Sequence, residues 1–235
     1  SIARMVDAGV GTICVGVDTE TSIKAVAIAQ SNDAIWACVG QHPTEWHQEF
    51  ALDQFIALAR EQKVVAIGEC GLDYYRDRER AHIEAQKTLF ETQIALAKET
   101  DLPLMLHIRP EQGTMTAYED ALEILTQWQK EWPTMRGTAH FFVGTKEIAA
   151  RFMELGFHIS FSGVITIFPE YEEVVRSVPI ERILPETDAP FAAPLPYRGK
   201  RNHPEYVIEV VKKIAALKEL SFEEASAIVL ENTKK

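Results

Sequence analysis

Residues that can bind a metal ion occur at the ends of several predicted strands in this sequence. The stretch from Val64 to Arg76 opens as an apolar run with β-branched residues and reaches a carboxylate at Glu69, between Gly68 and Gly71. Such a run is typical of a strand buried on both faces. A carboxylate at the end of a buried strand must be paired, hydrogen-bonded or bound to a cation, because burying it bare costs free energy. We therefore interpret Glu69 as a metal ligand.

Two histidines and an aspartate complete the set of candidate ligands. His107 follows a short apolar run, His140 lies in a predicted strand, and Asp188 ends the last predicted strand. Taken singly, each has an ordinary structural explanation: a histidine can cap a strand, Glu69 can pair with an arginine, and Asp188 can cap a helix. Imidazole and carboxylate ligands together suit Zn, Mn, Ni or Fe, whereas carboxylates with waters suit Mg. Their shared position at strand ends favours a metal site built by all four.

The elements that must position these side chains alternate between strands and helices. The predicted strands are Thr12–Asp18, Ile35–Gln41, Lys63–Glu69, Pro103–His107, Arg136–Phe142, Phe157–Ser162 and Arg182–Asp188. Helices lie between them, the longest from about Glu79 to Thr100. This alternation predicts an α/β fold in which helices cover a parallel sheet. In a parallel barrel the C-terminal ends of all strands open on one face, so the candidate ligands would converge there.

The strand count indicates a TIM-type (β/α)8 barrel whose first strand is missing. A closed barrel needs eight strands, and the sequence predicts seven. Ile2–Ala8 is typical of the tail of a helix, so we expect the eighth strand to precede Ser1. Two C-terminal helices, Pro204–Lys218 and Phe222–Glu231, follow the last strand. We predict a single TIM-barrel domain over residues 1–235, a length that suits one such barrel.

Composition narrows the choice of partners. The net charge of −11 argues against wide, salt-driven binding to a nucleic acid backbone, although an enzyme that grips only a strand end is still compatible with it. No apolar run approaches the length that spans a bilayer, so no membrane partner is predicted. The three cysteines show no CxxC spacing and are typical of reduced thiols in the cytoplasm. We predict no obligate protein partner.

Six motifs, in order along the chain, resemble those of one family. Gly68-Glu69-Cys70-Gly71-Leu72-Asp73-Tyr74-Tyr75-Arg76 resembles the signature of the TatD-type metal-dependent deoxyribonucleases. The others are Val39-Gly40-Gln41-His42-Pro43, Leu106-His107-Ile108-Arg109, His140-Phe141-Phe142-Val143-Gly144, Pro185-Glu186-Thr187-Asp188-Ala189-Pro190 and Pro196-Tyr197-Arg198-Gly199-Lys200-Arg201-Asn202. The resemblance covers nearly the whole chain.

The resemblance implies a TIM-type barrel hydrolase with two divalent metal ions, Mg, Mn or Zn. Glu69 would bridge both ions, and His107 and His140 would complete one of the two sites. Asp188 would hold the other ion together with a His-x-His pair on the first strand. This sequence contains no His-x-His pair, in agreement with the missing strand, so the second site is expected to be incomplete. Asp188 and Glu69 would be the catalytic residues, with Asp188 also accepting a proton.

The same resemblance implies a substrate, namely single-stranded nucleic acid ends cleaved by a 3'-5' exodeoxyribonuclease. His42, Arg76 and Arg109 at the rim could hold phosphate oxygens. Tyr74 or Tyr75 could stack on a terminal base. The alternative for all five is structural, as rim packing and salt bridges.

Two other functions stay open at this point. An amidohydrolase-like enzyme acting on a small lactone or amide would use the same kind of metal site, although many such enzymes bridge their metals with a carboxylated lysine where this chain offers Glu69. A non-catalytic degenerate barrel is favoured by the absent His-x-His pair.

Overall fold

The computed structural model describes residues 2–77 and 80–234. Within these residues seven strands are hydrogen-bonded in chain order, and the pairs for which the register is defined are all parallel. The strands are β1 Thr12–Val15, β2 Ile35–Val39, β3 Val64–Asp73, β4 Leu104–Arg109, β5 Gly137–His140, β6 Phe157–Phe161 and β7 Ile183–Pro185. The predicted number of strands and their parallel alternation with helices are confirmed.

The helices are α1 Ile2–Asp7, α2 Thr19–Gln30, α3 Leu52–Ala59, α4 Ile83–Thr100, α5 Thr116–Gln129, α6 Lys146–Glu154, α7 Glu172–Ser177, α8 Val207–Lys218 and α9 Phe222–Thr233. Helix α4 begins later than predicted, and the predicted start at Glu79 lies outside the described residues. None of the helices in the described ranges is both long and apolar enough to cross a membrane.

The chain folds into two compact units, which we describe separately. The central unit is Thr12–Ala139, and the terminal unit combines Ser1–Gly11 with His140–Lys235. The single domain inferred from the sequence stays a prediction.

Strand β3 differs from its prediction at the point that matters for function. Glu69 does not end the strand, because β3 continues to Asp73 after an irregularity in its pairing with β4 between Ile67 and Cys70. Gly68 and Gly71 explain the close approach of the two strands there. Both have positive φ, +148° and +138°, and an added Cβ would lie 2.3 Å and 2.2 Å from carbonyl oxygens of β4. Only glycine fits both the conformation and the space.

Other predicted strands are too long, among them the first and the last. Asp18 lies beyond β1, where its carboxylate accepts a hydrogen bond from the Thr21 N–H at 2.7 Å and caps helix α2. Such a cap satisfies one of the free amide groups at the helix start. Asp188 likewise lies after the end of β7. Asp18 and Asp188, the polar residues that follow these two apolar runs, therefore lie in loops and do not end the strands.

The core of each unit is built from the inward faces of these elements. In the central unit, Phe55, Phe90 and Leu106 are fully buried. The terminal unit contains a chain of edge-to-face aromatic contacts. Phe142 packs against Phe152 and Phe161 at 6.4 Å between ring centres, and Phe152 packs against Phe157 at 6.1 Å. Such pairs stabilise a core beyond the burial of their area.

Candidate metal centre

Three side chains of the central unit form a group that can hold a cation. His42, Glu69 and His107 each offer one ligand atom, and these atoms lie within 4.8 Å of one another. His107 Nδ1 is 2.8 Å from Glu69 Oε1, and the rings of His42 and His107 meet edge to face with centroids 4.2 Å apart. His42 follows β2, Glu69 lies on β3 and His107 lies on β4. These three strands are neighbours in the sheet. Adjacent parallel strands thus place the three donors at one edge.

His107 lies between two carboxylates. Its Nδ1 contacts Glu69, and its Nε2 is 3.1 Å from Oδ2 of Asp73, which is 1% exposed. Burial alone would lower the pKa of His107, but the contacts with Asp73 and Glu69 outweigh it and raise that pKa above its ordinary value. Burial would raise the pKa of Asp73, and the hydrogen bond with His107 reverses this, so the Asp73 pKa is lowered. In the metal-free protein these contacts therefore favour the protonated imidazole and the ionised carboxylate.

Asp73 was missed as a site residue by sequence reasoning. The predicted strand stopped at Glu69, which left Asp73 in a loop. Side chains at alternate positions of a strand share a face, so Glu69, Gly71 and Asp73 would have been grouped had the strand been extended. The carboxylate of Asp73 is itself fixed, because its Oδ1 accepts a hydrogen bond from the Arg76 N–H at 2.9 Å.

His42 was predicted to hold a phosphate, and the structure places it among the candidate metal donors. Its backbone N–H donates to the Val17 carbonyl at 2.8 Å, and its Nδ1 lies 2.7 Å from the Thr44 hydroxyl. Burial, followed by the charge of His107, lowers the pKa of His42 to about 4. The ring is therefore neutral near pH 7, which is the state that binds a metal. Its predicted role toward phosphate stays a prediction.

Two glutamines of α4 hold the backbone next to these side chains. Gln93 accepts from the N–H of Gln41 and donates to its carbonyl, both at 2.8 Å. Gln86 accepts from the N–H of Asp73 at 2.8 Å and donates to its carbonyl at 3.3 Å. Both glutamine side chains are buried. They fix the position of the residue before His42 and of the carboxylate beside His107.

The two tyrosines that were predicted to stack on a base have different environments. Tyr74 is 1% exposed, and its hydroxyl donates to Asp120 at 2.7 Å. It is an internal side chain, so Tyr75 is the more accessible of the two, and stacking on a base by either stays a prediction. Tyr75 is 38% exposed, and the guanidinium of Arg109 lies 4.0 Å from its ring centre. Arg76, predicted to hold phosphate, is also largely exposed.

His140 and Asp188 belong to the terminal unit. His140 Nδ1 is 2.8 Å from Oε2 of Glu186, whose other oxygen accepts from the Phe141 N–H at 3.0 Å. Ser160 donates its hydroxyl to the same Oε2. A carboxylate on one ring nitrogen orients a histidine so that the other nitrogen can bind a metal. Sequence reasoning missed Glu186, which the motif places two residues before Asp188. That His140 and Asp188 bind the same metal ions as Glu69 stays a prediction.

Parallel α/β alternation with imidazole and carboxylate donors on and after adjacent strands is typical of metal-dependent hydrolases. Comparison with known proteins agrees. The family model of the TatD related DNases matches residues 1–235, and the chain belongs to this family.

Two curated relatives are described as metal-dependent hydrolases. YabD of Bacillus subtilis is 41% identical, over 95% of this chain and 85% of that protein. YcfH of Escherichia coli K12 is 33% identical, over 87% of this chain and 74% of that protein. The crystal structure of YJJV, a TatD homologue from Escherichia coli, matches with a TM-score of 0.88 at 30% identity, covering 99% of this chain and 88% of that one. The predicted TIM-type fold class is confirmed.

Proposed function

We propose that this metal-dependent hydrolase is a nuclease that cleaves phosphodiester bonds at single-stranded DNA ends in the 3'-5' direction. The observation that carries the proposal is the group formed by His42, Glu69 and His107, with the exposed Arg76 and the half-buried Arg109 on the same unit. Family membership supplies the hydrolase chemistry. The arginines match the charge and geometry of a phosphate.

The donor set fits divalent cations. Neutral imidazole from His42, the Glu69 carboxylate and His107 are ligands that Mn and Zn accept, and carboxylates with waters suit Mg. We propose two divalent ions. The ligands from the central unit would be His42, Glu69 and His107. His140 and Asp188 would be further ligands, as the family resemblance implies. A bound divalent ion supplies Lewis acidity and orients a phosphate and a water for displacement.

The remaining roles fall to the side chains of this chain. Arg76 and Arg109 would neutralise the non-bridging oxygens of the phosphate. Tyr75, whose ring is partly exposed beside Arg109, would stack on the terminal base. Asp73 would act as a positioning residue, because its carboxylate is buried and contacts His107. Asp188 would accept the proton of the attacking water.

A cytoplasmic location is part of the proposal. It rests on the cysteines, of which Cys38 and Cys70 are buried as free thiols. Burial raises the pKa of both thiols, which keeps them in the protonated, unreactive form.

The test is a nuclease assay with Mg or Mn on single-stranded DNA labelled at one end or the other. We expect progressive shortening of the 5'-labelled strand, early release of label from the 3'-labelled strand, and loss of both in Glu69→Ala. Glu99→Ala, which removes an exposed carboxylate from α4 in the same unit, is the matched control and should be fully active. Turnover of lactones or amides without DNA cleavage would instead indicate an amidohydrolase-like enzyme, and metal binding without any turnover a degenerate barrel.

A further inference from the structure

A group of exposed aromatic and basic side chains in the terminal unit has no role in the centre described above. We call it the aromatic–basic strip, and its members are Phe168, Phe191, Leu195, Arg198, Lys200 and Arg201. Its apolar members are unusually accessible, with exposed fractions of 69% for Phe191, 47% for Leu195 and 38% for Phe168. Clustered exposed apolar side chains rimmed by polar ones are typical of a binding surface.

The charge of the strip is opposite to that of the protein. The chain carries a net charge of −11, yet residues 189–204 include three arginines and lysines and no aspartate or glutamate. Several other cations of the terminal unit are paired with carboxylates, as Lys146 is with Glu173 at 2.6 Å. Over the part of the chain that the structure describes, Arg198, Lys200 and Arg201 have no carboxylate at ion-pairing distance. Their charge is therefore available to an anionic ligand.

The loop that carries most of the strip is held in one conformation. Asn202 is 2% exposed, its N–H donates to the Pro190 carbonyl at 3.0 Å, and its side-chain amide donates to the Phe191 carbonyl at 2.6 Å. The N–H of Leu195 donates to the Thr166 hydroxyl at 2.9 Å, which ties the loop to the turn before Phe168. A surface fixed before binding loses less conformational entropy when a ligand arrives.

Cations next to exposed aromatic rings are the combination with which proteins hold single-stranded nucleic acid, since bases stack on the rings and phosphates contact the cations. The strip has this arrangement, with the Arg198 guanidinium 5.6 Å from the ring centre of Phe168. We propose that the strip binds a single-stranded segment of the nucleic acid substrate. Bases pack on Phe191 and Phe168, and phosphates contact Lys200 and Arg201. This inference rests on the proposed nuclease function.

The experiment compares a long single-stranded DNA with bis(p-nitrophenyl) phosphate, a small diester that has a single phosphate and no bases, both with the Mn-loaded enzyme. In Lys200→Ala/Arg201→Ala we expect KM for the long DNA to rise about tenfold at low salt, with a salt dependence weaker by about 1.4 in logarithmic slope for two lost phosphate contacts. Phe191→Ala should raise this KM about fivefold or more. Hydrolysis of the small diester should be unchanged in both variants.

Matched controls remove similar groups from elsewhere in the same unit. Lys212→Ala/Lys234→Ala removes two ion-paired lysines, and Phe222→Ala removes a 37% exposed ring; both should retain the wild-type KM. An active enzyme with unchanged KM in the strip variants overturns this inference and leaves the nuclease function standing. A wild-type protein that cleaves neither substrate overturns the nuclease function itself. If Phe191→Ala changes the sedimentation coefficient but not KM, the strip binds a second copy of the chain and the inference is wrong.

Discussion

Gln93 holds both backbone hydrogen-bonding groups of Gln41, the residue that precedes His42. The side chain of Gln93 is fully buried, so neither water nor another donor can replace these bonds without rearrangement. The side-chain amide of a helix residue thus satisfies a backbone N–H and carbonyl that would otherwise need a neighbouring strand as partner. This relationship connects the packing of α4 with the orientation of a candidate metal ligand.

Gln93→Leu should lower both stability and metal affinity. Loss of the amide leaves the N–H and carbonyl of Gln41 buried and unpaired, at a cost of about 1–3 kcal/mol for each group. Urea unfolding should show the lost stability, and titration with Mn should show weaker binding. Gln127→Leu, at an exposed position of α5, should change neither. If folded Gln93→Leu bound Mn with the affinity of the wild type, the hydrogen bonds from Gln93 to the backbone of Gln41 would not be what positions His42.

Replacement of the strand glycines by alanine should be costly. In Gly71→Ala the new Cβ would lie 2.2 Å from the carbonyl oxygen of His107, so β3 and β4 must separate beside a candidate ligand. We expect a loss of about 3 kcal/mol or more in the free energy of unfolding, since strain and a displaced backbone add. Gly113→Ala isolates the strain alone, because Gly113 has φ +78° and nothing within 4 Å of the added Cβ. Its cost should be about 1 kcal/mol.

The acid–base behaviour of His107 should depend on Asp73. The pKa of His107 is raised in the folded, metal-free protein, so its protonated form stabilises the fold fully below its unfolded pKa of 6.5, and this contribution is lost as the pH rises through the raised value. Asp73→Asn removes a charged partner and should lower the pKa of His107. Proton NMR titration of the histidine ring signals measures this, with His107→Gln assigning the signal. An unchanged pKa in Asp73→Asn would contradict the contact.

Protons and metal compete for the same ring, so apparent metal affinity should rise with pH. A histidine must be neutral to bind a metal, and His107 gives up its proton only above its raised pKa. Calorimetric titration with Zn at several pH values would measure the affinity and the protons released. Affinity that is flat with pH would exclude His107 as a ligand.

The adjacent tyrosines should separate stability from substrate binding. Tyr74→Phe loses the hydrogen bond to Asp120 and should lower stability by about 1–2 kcal/mol without affecting DNA cleavage. Tyr75→Ala should leave stability nearly unchanged and raise KM for single-stranded DNA, because its ring is exposed beside Arg109. The reverse pattern, with KM changed only in Tyr74→Phe, would contradict these assignments.

Much of the fold follows from local pattern. Apolar runs punctuated by polar residues predicted all seven strands, because parallel strands covered by helices must be apolar on both faces. The end of β3 could not be predicted, because glycines in a sequence usually indicate a turn. In this structure Gly68 and Gly71 lie within the strand, where the absence of a side chain allows β3 and β4 to pack closely. Hydropathy alone does not separate these two uses of glycine.

Glu69 and His107 were predicted as donors of the candidate site, whereas the place of His42 among the donors and the partners of these side chains were not. Glu69 and His107 come together as expected, since both sit on adjacent strands. Gln86 and Gln93 could not be foreseen, because a polar residue in an amphipathic helix gives no sign of whether it faces solvent or a distant backbone. Tyr74 illustrates the same limit, as the hydrogen-bond partner of its hydroxyl, Asp120, lies far along the chain.

Gln86 and Gln93 lie about two turns apart on α4, and therefore on the same side of the helix. A rotation of α4 about its axis would break the hydrogen bonds of both glutamines at once. The backbone at the end of β3 and the backbone after β2 would then be released together. The solvent side of this helix can accumulate substitutions over evolutionary time, whereas its inner side must keep two amides in phase with the sheet.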